Sequence, residues 1–175
     1  MGRARSGKDS FAEQLVGAHG YTRLAFADPL KEMALAVNPI VPTGYRVYVR
    51  LAPLVADVGW EYAKDTYPEV RRLLQEMGQR VRDLDGAFWV RALLRRAVTV
   101  RGPIVVTDVR YPNELHAMRR AGFTVLRIER PGVADMAHES ETALGSHLAD
   151  GIIENTGSLA QLRAHADGLV EFLNA

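Results

Sequence analysis

Residues 1–10 read MGRARSGKDS, with Gly2 and Gly7 five positions apart and Lys8 directly after the second glycine. Glycines at this spacing let successive backbone N–H groups turn towards one anion, because no Cβ blocks the conformations required. The adjacent ammonium adds positive charge that can follow a phosphate. The next residues, FAEQLV (11–16), place apolar side chains on one face of a helix from about Gly7 to Ala18. The loop therefore runs into a helix N-terminus, where the backbone favours negative charge. A cradle for a polyphosphate is expected here.

Asp9 stands where loops of this kind carry Ser or Thr. A carboxylate beside a polyphosphate is repelled unless a divalent cation stands between them. Asp9 therefore either ligates Mg²⁺, directly or through water, or caps the first turn while Ser10 turns its hydroxyl to the metal.

Downstream, helices alternate with short buried strands. A strand is expected over Tyr21 to Phe26, then a helix from about Pro29 to Val37, with Asp28 as cap and Pro29 in the first helical position. NPIVPTG (38–44) reads as a loop by its Pro and Gly, and residues 45–67 hold a strand-like YRVYVRL and a possible helix. Val70, Leu73, Leu74, Met77, Val81 and Leu84 form a helical stripe, and a second amphipathic helix starts after Gly86. PIVVTDV (103–109) is a buried strand, followed by a helix that stops at Gly122, a strand FTVLRIE, a short strand GIIEN and a closing helix from Ser158 to about Leu173. The alternation predicts an α/β fold with a parallel sheet covered by helices on both faces.

Asp108 and Arg110 emerge where the VVTDVR strand ends, the edge at which open α/β sheets bind ligands. There Asp108 orients Mg²⁺ or an acceptor and Arg110 holds a phosphate; alternatively, Asp108 caps the next helix and Arg110 joins a surface ion pair. Arg72 and Gln75 either reach a substrate or line a solvated helix face. Trp89 reads more readily as core than as a stacking platform, and His138 as a surface histidine rather than a base.

Composition narrows the classes. The 175 residues suit one domain, and 47% hydrophobic with 25% charged residues argues against disorder. No apolar run is long enough to span a membrane and no secretory leader is visible, so a cytoplasmic protein without membrane partners is expected. The absence of cysteine removes thiolate chemistry and Cys-ligated zinc. With 22 basic against 21 acidic residues, the net charge of +1 lacks the basic excess of nucleic-acid binders.

GRARSGKDS, TDVRYPNE and HESE, with LLQEMGQ and FWV between them, resemble the bacteriophage deoxynucleoside monophosphate kinases, which share the adenylate-kinase-like fold. The resemblance runs from Gly2 to about Glu141. It implies a three-layer P-loop sheet, a helical acceptor-side insertion over about 38–86, and transfer of the γ-phosphoryl group of ATP to a deoxynucleoside monophosphate with Mg²⁺. It implies further that Arg5, Ser6, Gly7, Lys8, Asp9 and Ser10 meet the ATP phosphates. Leu30, Lys31, Arg72, Gln75, Trp89, Arg110 and Glu114 are implied to line the monophosphate site. Catalysis would fall to Lys8, Arg5, Arg110 and Asp108, with Asp9 and Ser10 at the metal. A homodimer stays open.

Ala4 stands where some relatives carry Lys, so one contact to the acceptor phosphate is absent. Only Met1 precedes Gly2, so the strand that normally anchors such a loop is not in the sequence. Either the true start lies upstream or the sheet has one strand fewer, and a groove is then expected between Val105 and Val125. Phosphoryl transfer must exclude water, so a lid is expected over about 131–146. The rival readings are a kinase of another small acceptor, such as a cofactor precursor, and a non-enzymatic nucleotide- or nucleic-acid-binding protein.

Overall fold

Gly7 takes the N-cap position of the first helix with φ of +102°, a backbone conformation open to glycine, and hands the chain to α1 (Lys8–His19). The computed structural model describes residues 1–2, 5–132 and 144–173. After α1 come β1 (Thr22–Leu24), α2 (Ala27–Val37), β2 (Ile40–Gly44), β3 (Val47–Arg50), α3 (Leu51–Thr66), α4 (Pro68–Leu84) and α5 (Phe88–Ala97). Then follow β4 (Ile104–Val106), α6 (Pro112–Arg120), β5 (Leu126–Glu129), a 3₁₀ turn (Ser146–Leu148), β6 (Gly151–Glu154) and α7 (Leu159–Leu173). The described chain is α/β, and it divides into a unit of residues 1–25 with 93–175 and a unit of residues 26–92.

In the first unit, β1 pairs parallel with β4 in the register Thr22↔Ile104 to Leu24↔Val106. β5 pairs parallel with β6, Leu126↔Gly151 to Glu129↔Glu154. Phe11 and Leu15 of α1, Ile128 of β5, and Leu162 and Ala166 of α7 form one buried cluster, against which Val105 and Ile153 lie. The polar faces of α1 and α7 are tied as well: Gln14 Nε2 donates to Asp167 Oδ1 at 2.9 Å, and His19 Nε2 lies 2.7 Å from the same oxygen. α7 opens on a reciprocal cap, in which Ser158 N–H donates to Gln161 Oε1 at 2.7 Å and Gln161 N–H to Ser158 Oγ at 3.3 Å.

Met1 adds a parallel rung to β5: its nitrogen donates to the Leu126 carbonyl, and Ile128 N–H donates to the Met1 carbonyl at 2.9 Å. An apolar groove of about 500 Å³ opens beside it, lined by Met1, Phe11, Leu15, Val105, Val125 and Leu169 among others. Among the described residues β4 pairs with β1 and β5 with β6, so the groove runs along strand edges that carry no strand between them.

The second unit has its own core, built on Ala34, Val41, Leu51, Leu54, Ala63 and Val70. Residues 38–44 depart from the loop expected there. Ile40–Gly44 form β2, antiparallel to β3, with Val41 opposite Val49 and fully buried. Burial of Val41 outweighs the turn propensity of its neighbours, and Pro42 is tolerated because a two-stranded ribbon has only edges. The Val70 stripe packs into this core through Leu73, Leu74 and Met77, whereas Leu84, 90% exposed, has left the apolar face. α2 begins earlier than expected: Phe26 is its N-cap, so Asp28 lies inside the first turn and Pro29 is not its first residue.

Candidate active site

The loop 5–7 is shaped by two residues with positive φ, Arg5 at +60° and Gly7 at +102°, on either side of Ser6. Alternation of this kind turns neighbouring N–H groups into one concavity. Gly7 is further constrained by its surroundings: a Cβ there would stand 2.6 Å from Asn155 Nδ2 and 2.8 Å from Leu162 Cδ2. Gly2 is equally tight, since a Cβ would collide with the Ile128 carbonyl oxygen. Both glycines are therefore required by close approach, beyond their φ angles.

Ser6 is buried, and its Oγ has no hydrogen-bond partner among the described residues. An orphaned hydroxyl inside a concavity of amides suits a loop built to receive an oxyanion. Asp9 is exposed in the first turn of α1 and Ser10 follows half-buried. Because Gly7 holds the cap position and makes no side-chain cap bond, Asp9 does not cap α1; its carboxylate stands at the positive end of the helix. No cluster of three or more His, Cys, Asp or Glu able to hold a metal occurs among the described residues. The donor set fits Mg²⁺ held mainly by phosphate oxygens, with one or two protein groups completing its shell.

Lys8, Asp108 and Arg110 line one small cavity together with Thr107, Arg127, Met1 and Gly2. β4 delivers Thr107 and Asp108, as expected of a strand that ends at the ligand edge. Asp108 does not cap α6, whose N-cap is Tyr111 with Pro112 next. Glu114 makes that turn rigid. It is 2% exposed, and its Oε2 accepts N–H bonds from Arg110 at 2.9 Å and Tyr111 at 3.1 Å. Its position is that of a residue supporting Arg110 through the backbone.

Arg127, on β5, enters the same cavity without having been singled out in the sequence. Its guanidinium donates to Glu129 Oε1 at 2.7 Å and to the Leu144 carbonyl at 2.9 Å, so it is held rather than loose. A basic residue in a strand of alternating pattern is a common sight, and only the fold brings it beside Lys8.

Leu30, Lys31, Arg72, Gln75 and Trp89 belong to the second unit. Lys31 Nζ lies 5.7 Å from the centroid of the Trp60 ring. Leu30 reaches close to Gly78 of α4. Arg72 is exposed and bridges Glu69 at 2.5 Å and Glu76 at 2.7 Å, which hold its guanidinium charged even more firmly than usual. Gln75 is exposed on the same helix. Trp89 is core: 3% exposed, edge-on to Phe88, with its indole N–H donating to the Gly78 carbonyl at 3.1 Å. It clamps the helix that carries Arg72 and Gln75. His138, Glu141 and most of the expected lid lie outside the described residues.

No helix among the described residues is long and apolar enough to cross a membrane. The chain is 28% identical over 169 residues to a putative deoxynucleotide monophosphate kinase of Acanthamoeba polyphaga mimivirus, covering 83% of this chain and 80% of that protein. It is 33% identical over 100 residues to the deoxynucleotide monophosphate kinase of Enterobacteria phage T4, covering 53% of this chain and 42% of that protein. An uncharacterized protein, ORF77, of Ictalurid herpesvirus 1 (strain Auburn) is 34% identical over 101 residues, covering 53% of this chain and 44% of that protein. The match thus spans less than half the length of the T4 and herpesvirus relatives. The deoxynucleotide monophosphate kinase family profile matches residues 55–166, well over half of the sequence and part of both units, and the chain belongs to that family.

Proposed function

We propose that this chain transfers the γ-phosphoryl group of ATP to a deoxynucleoside monophosphate, giving the diphosphate and ADP. The observation that carries the reading is the gathering of Lys8, Asp108 and Arg110 at one cavity beside the Arg5–Gly7 concavity. In this reading the amides of the loop, the Ser6 hydroxyl and the Lys8 ammonium bind the donor phosphates. Arg5, exposed at the lip of the loop, approaches the same oxygens. Arg110 holds the acceptor phosphate as a two-pronged donor, a geometry a lysine does not offer.

Asp108 orients the acceptor side of the cavity, and Asp9 and Ser10 are the groups that would hold Mg²⁺. When bound, the metal neutralises charge on the phosphate oxygens. The chain itself supplies position and fixed positive charge, which is most of what phosphoryl transfer asks of a protein. Leu30, Lys31, Arg72 and Gln75 are assigned to monophosphate binding in the same reading, and within the second unit Trp89 fixes α4, which carries Arg72 and Gln75. The finer architecture belongs to the same proposal: a three-layer P-loop sheet and a single kinase domain whose acceptor-side insertion spans about 38–86.

The test is phosphoryl transfer from ATP to each of the four deoxynucleoside monophosphates, with a panel of other small acceptors beside them. Turnover of one or more deoxynucleotides above all other acceptors supports the reading. Turnover confined to a different acceptor gives a kinase of another class, and ATP binding without turnover removes the enzymatic reading.

A further inference from the structure

Asn155 lies just past β6, far from the loop in sequence, yet its side chain reaches the loop's backbone. The parallel ladder fixes where it stands. Glu154 pairs with Glu129, and Asn155 N–H extends the ladder by donating to the Glu129 carbonyl at 2.7 Å. The side chain is 8% exposed, and its Nδ2 donates to the Ser6 carbonyl at 2.9 Å. The same nitrogen is what a Cβ on Gly7 would strike. An amide is therefore pressed against both ends of the Ser6–Gly7 peptide unit.

We infer that Asn155 is a positioning residue for the phosphate loop, an assignment that rests on the reading of the loop as the donor-phosphate site. A trans peptide is planar, with its C=O and N–H pointing in opposite directions. Holding the Ser6 carbonyl towards Asn155 therefore holds the Gly7 N–H away from it. That N–H precedes α1 and has no intrahelical acceptor, because the first N–H groups of a helix lie beyond the reach of its ladder. Rotation of this one peptide would turn the N–H out of the concavity, and glycine at position 7 makes such rotation easy. Asn155 removes the freedom that Gly7 introduces. It touches no reacting atom. Its contribution is to have the amide direction set before the nucleotide arrives, the part of electrostatic binding that costs nothing at the moment of reaction.

The alternative is that Asn155 serves only to satisfy a buried carbonyl. The two roles separate in experiment. Asn155→Leu keeps the branching at Cγ and removes the donor, and Asn155→Asp keeps the shape and replaces the donor with a carboxylate at neutral pH. For both, the backbone NMR order parameter at Gly7 in the nucleotide-free protein should fall from the rigid range of about 0.85 to below about 0.6, with order parameters in α3 and α4 unchanged. MgATP affinity by calorimetry should fall about tenfold, the scale of one lost buried hydrogen bond. In turnover, the KM for ATP should rise and kcat fall while the acceptor KM stays within about twofold. An unchanged Gly7 order parameter in either folded variant overturns the assignment whatever the nucleotide does. MgATP affinity within about twofold of the parent overturns it as well. Failure of both variants to fold makes Asn155 a core residue and also overturns it. A parent that binds no MgATP overturns the donor-site reading itself, and with it this one.

Discussion

The carboxylate of Glu114 accepts the backbone N–H of Arg110 at 2.9 Å, so the residue that meets the ligand edge is held by a buried acid one turn into the next helix. Glu114→Ala would remove the buried acceptor that the part-buried N–H groups of Arg110 and Tyr111 share. A loss of about 2–3 kcal/mol is expected, the cost of leaving partners of a charged acceptor unsatisfied. Glu114→Gln keeps an acceptor oxygen and should recover most of the stability. If Arg110 depends on this turn, the acceptor KM should rise for the Ala variant and return towards the parent for Gln. Denaturant unfolding with steady-state kinetics on both variants tests the pair; equal stability of Ala and parent would remove the support role.

Lys8→Ala should leave the fold intact, because Lys8 lies at the loop rather than in either core cluster of its unit. Turnover should fall by about a hundredfold or more, the range found when a charge-stabilising donor is removed from a transition state. Activity within about threefold of the parent would sink the phosphate-loop assignment.

Arg110→Ala should raise the KM for the acceptor more than that for ATP, since a guanidinium at the strand edge would grip the monophosphate bidentately. Initial-rate measurements with each substrate varied in turn decide it. A rise confined to ATP would move Arg110 to the donor side.

The loop and the strand end were legible in the sequence because each is a local signal: Gly spacing followed by a helix, and an apolar run followed by an acid and an arginine. The edges of elements were less so. Residues 40–44 carry turn residues, and only the burial of Val41 against Leu51 and Leu54 makes them a strand. Arg127 and Asn155 could not be read at all. Neither has a local signature, and each reaches the loop through a strand register that exists only once the chain has folded. Glu114 was implicated through the family resemblance, as a residue of the monophosphate site. Its bonds to the backbone N–H groups of Arg110 and Tyr111 have no local signature, because they depend on how tightly the turn after β4 closes.

Asp150 offers a pH test. Its carboxylate accepts Val125 N–H at 2.8 Å and pairs with Arg119, and these hold its pKa below the ordinary carboxylate value, the backbone bond contributing most. A folded-state pKa below the unfolded one gives stability that is present above the unfolded value of about 3.9 and is lost as pH falls through the folded one. Asp150→Ala should therefore melt about 2–4 °C lower at pH 7, on the scale of about 1 kcal/mol for this size of protein. The difference should shrink as pH drops below about 4, where the parent loses the same bond. A gap that is constant from pH 7 to pH 3 would assign the loss to packing instead of charge.

The groove between β4 and β5 makes the last expectation. Met1 already forms a parallel rung on β5, and the apolar lining continues past it along Val105, Phe11, Leu15 and Leu169. A strand edge paired on one side only leaves N–H and C=O groups in need of partners, so one more strand would satisfy β4 and β5 together. With helices over the sheet, such a strand must be apolar on both faces. Burial, with Lys8 and Arg127 nearby, lowers the pKa of the Met1 amine to about 5, so charge on that nitrogen is disfavoured there, whereas an amide would donate the same bond with no charge to lose. Fusing a six-residue Val/Ile-rich segment to Met1 should therefore raise Tm by several degrees over a Gly/Ser segment of equal length, at about 2–4 °C for each kcal/mol gained. MgATP affinity should rise with it, because the segment would fix where the loop at Gly2 begins. Equal melting temperatures for the two fusions would show that the groove does not accept a strand. A gain in Tm without a gain in affinity would separate the sheet from the loop it was expected to steady.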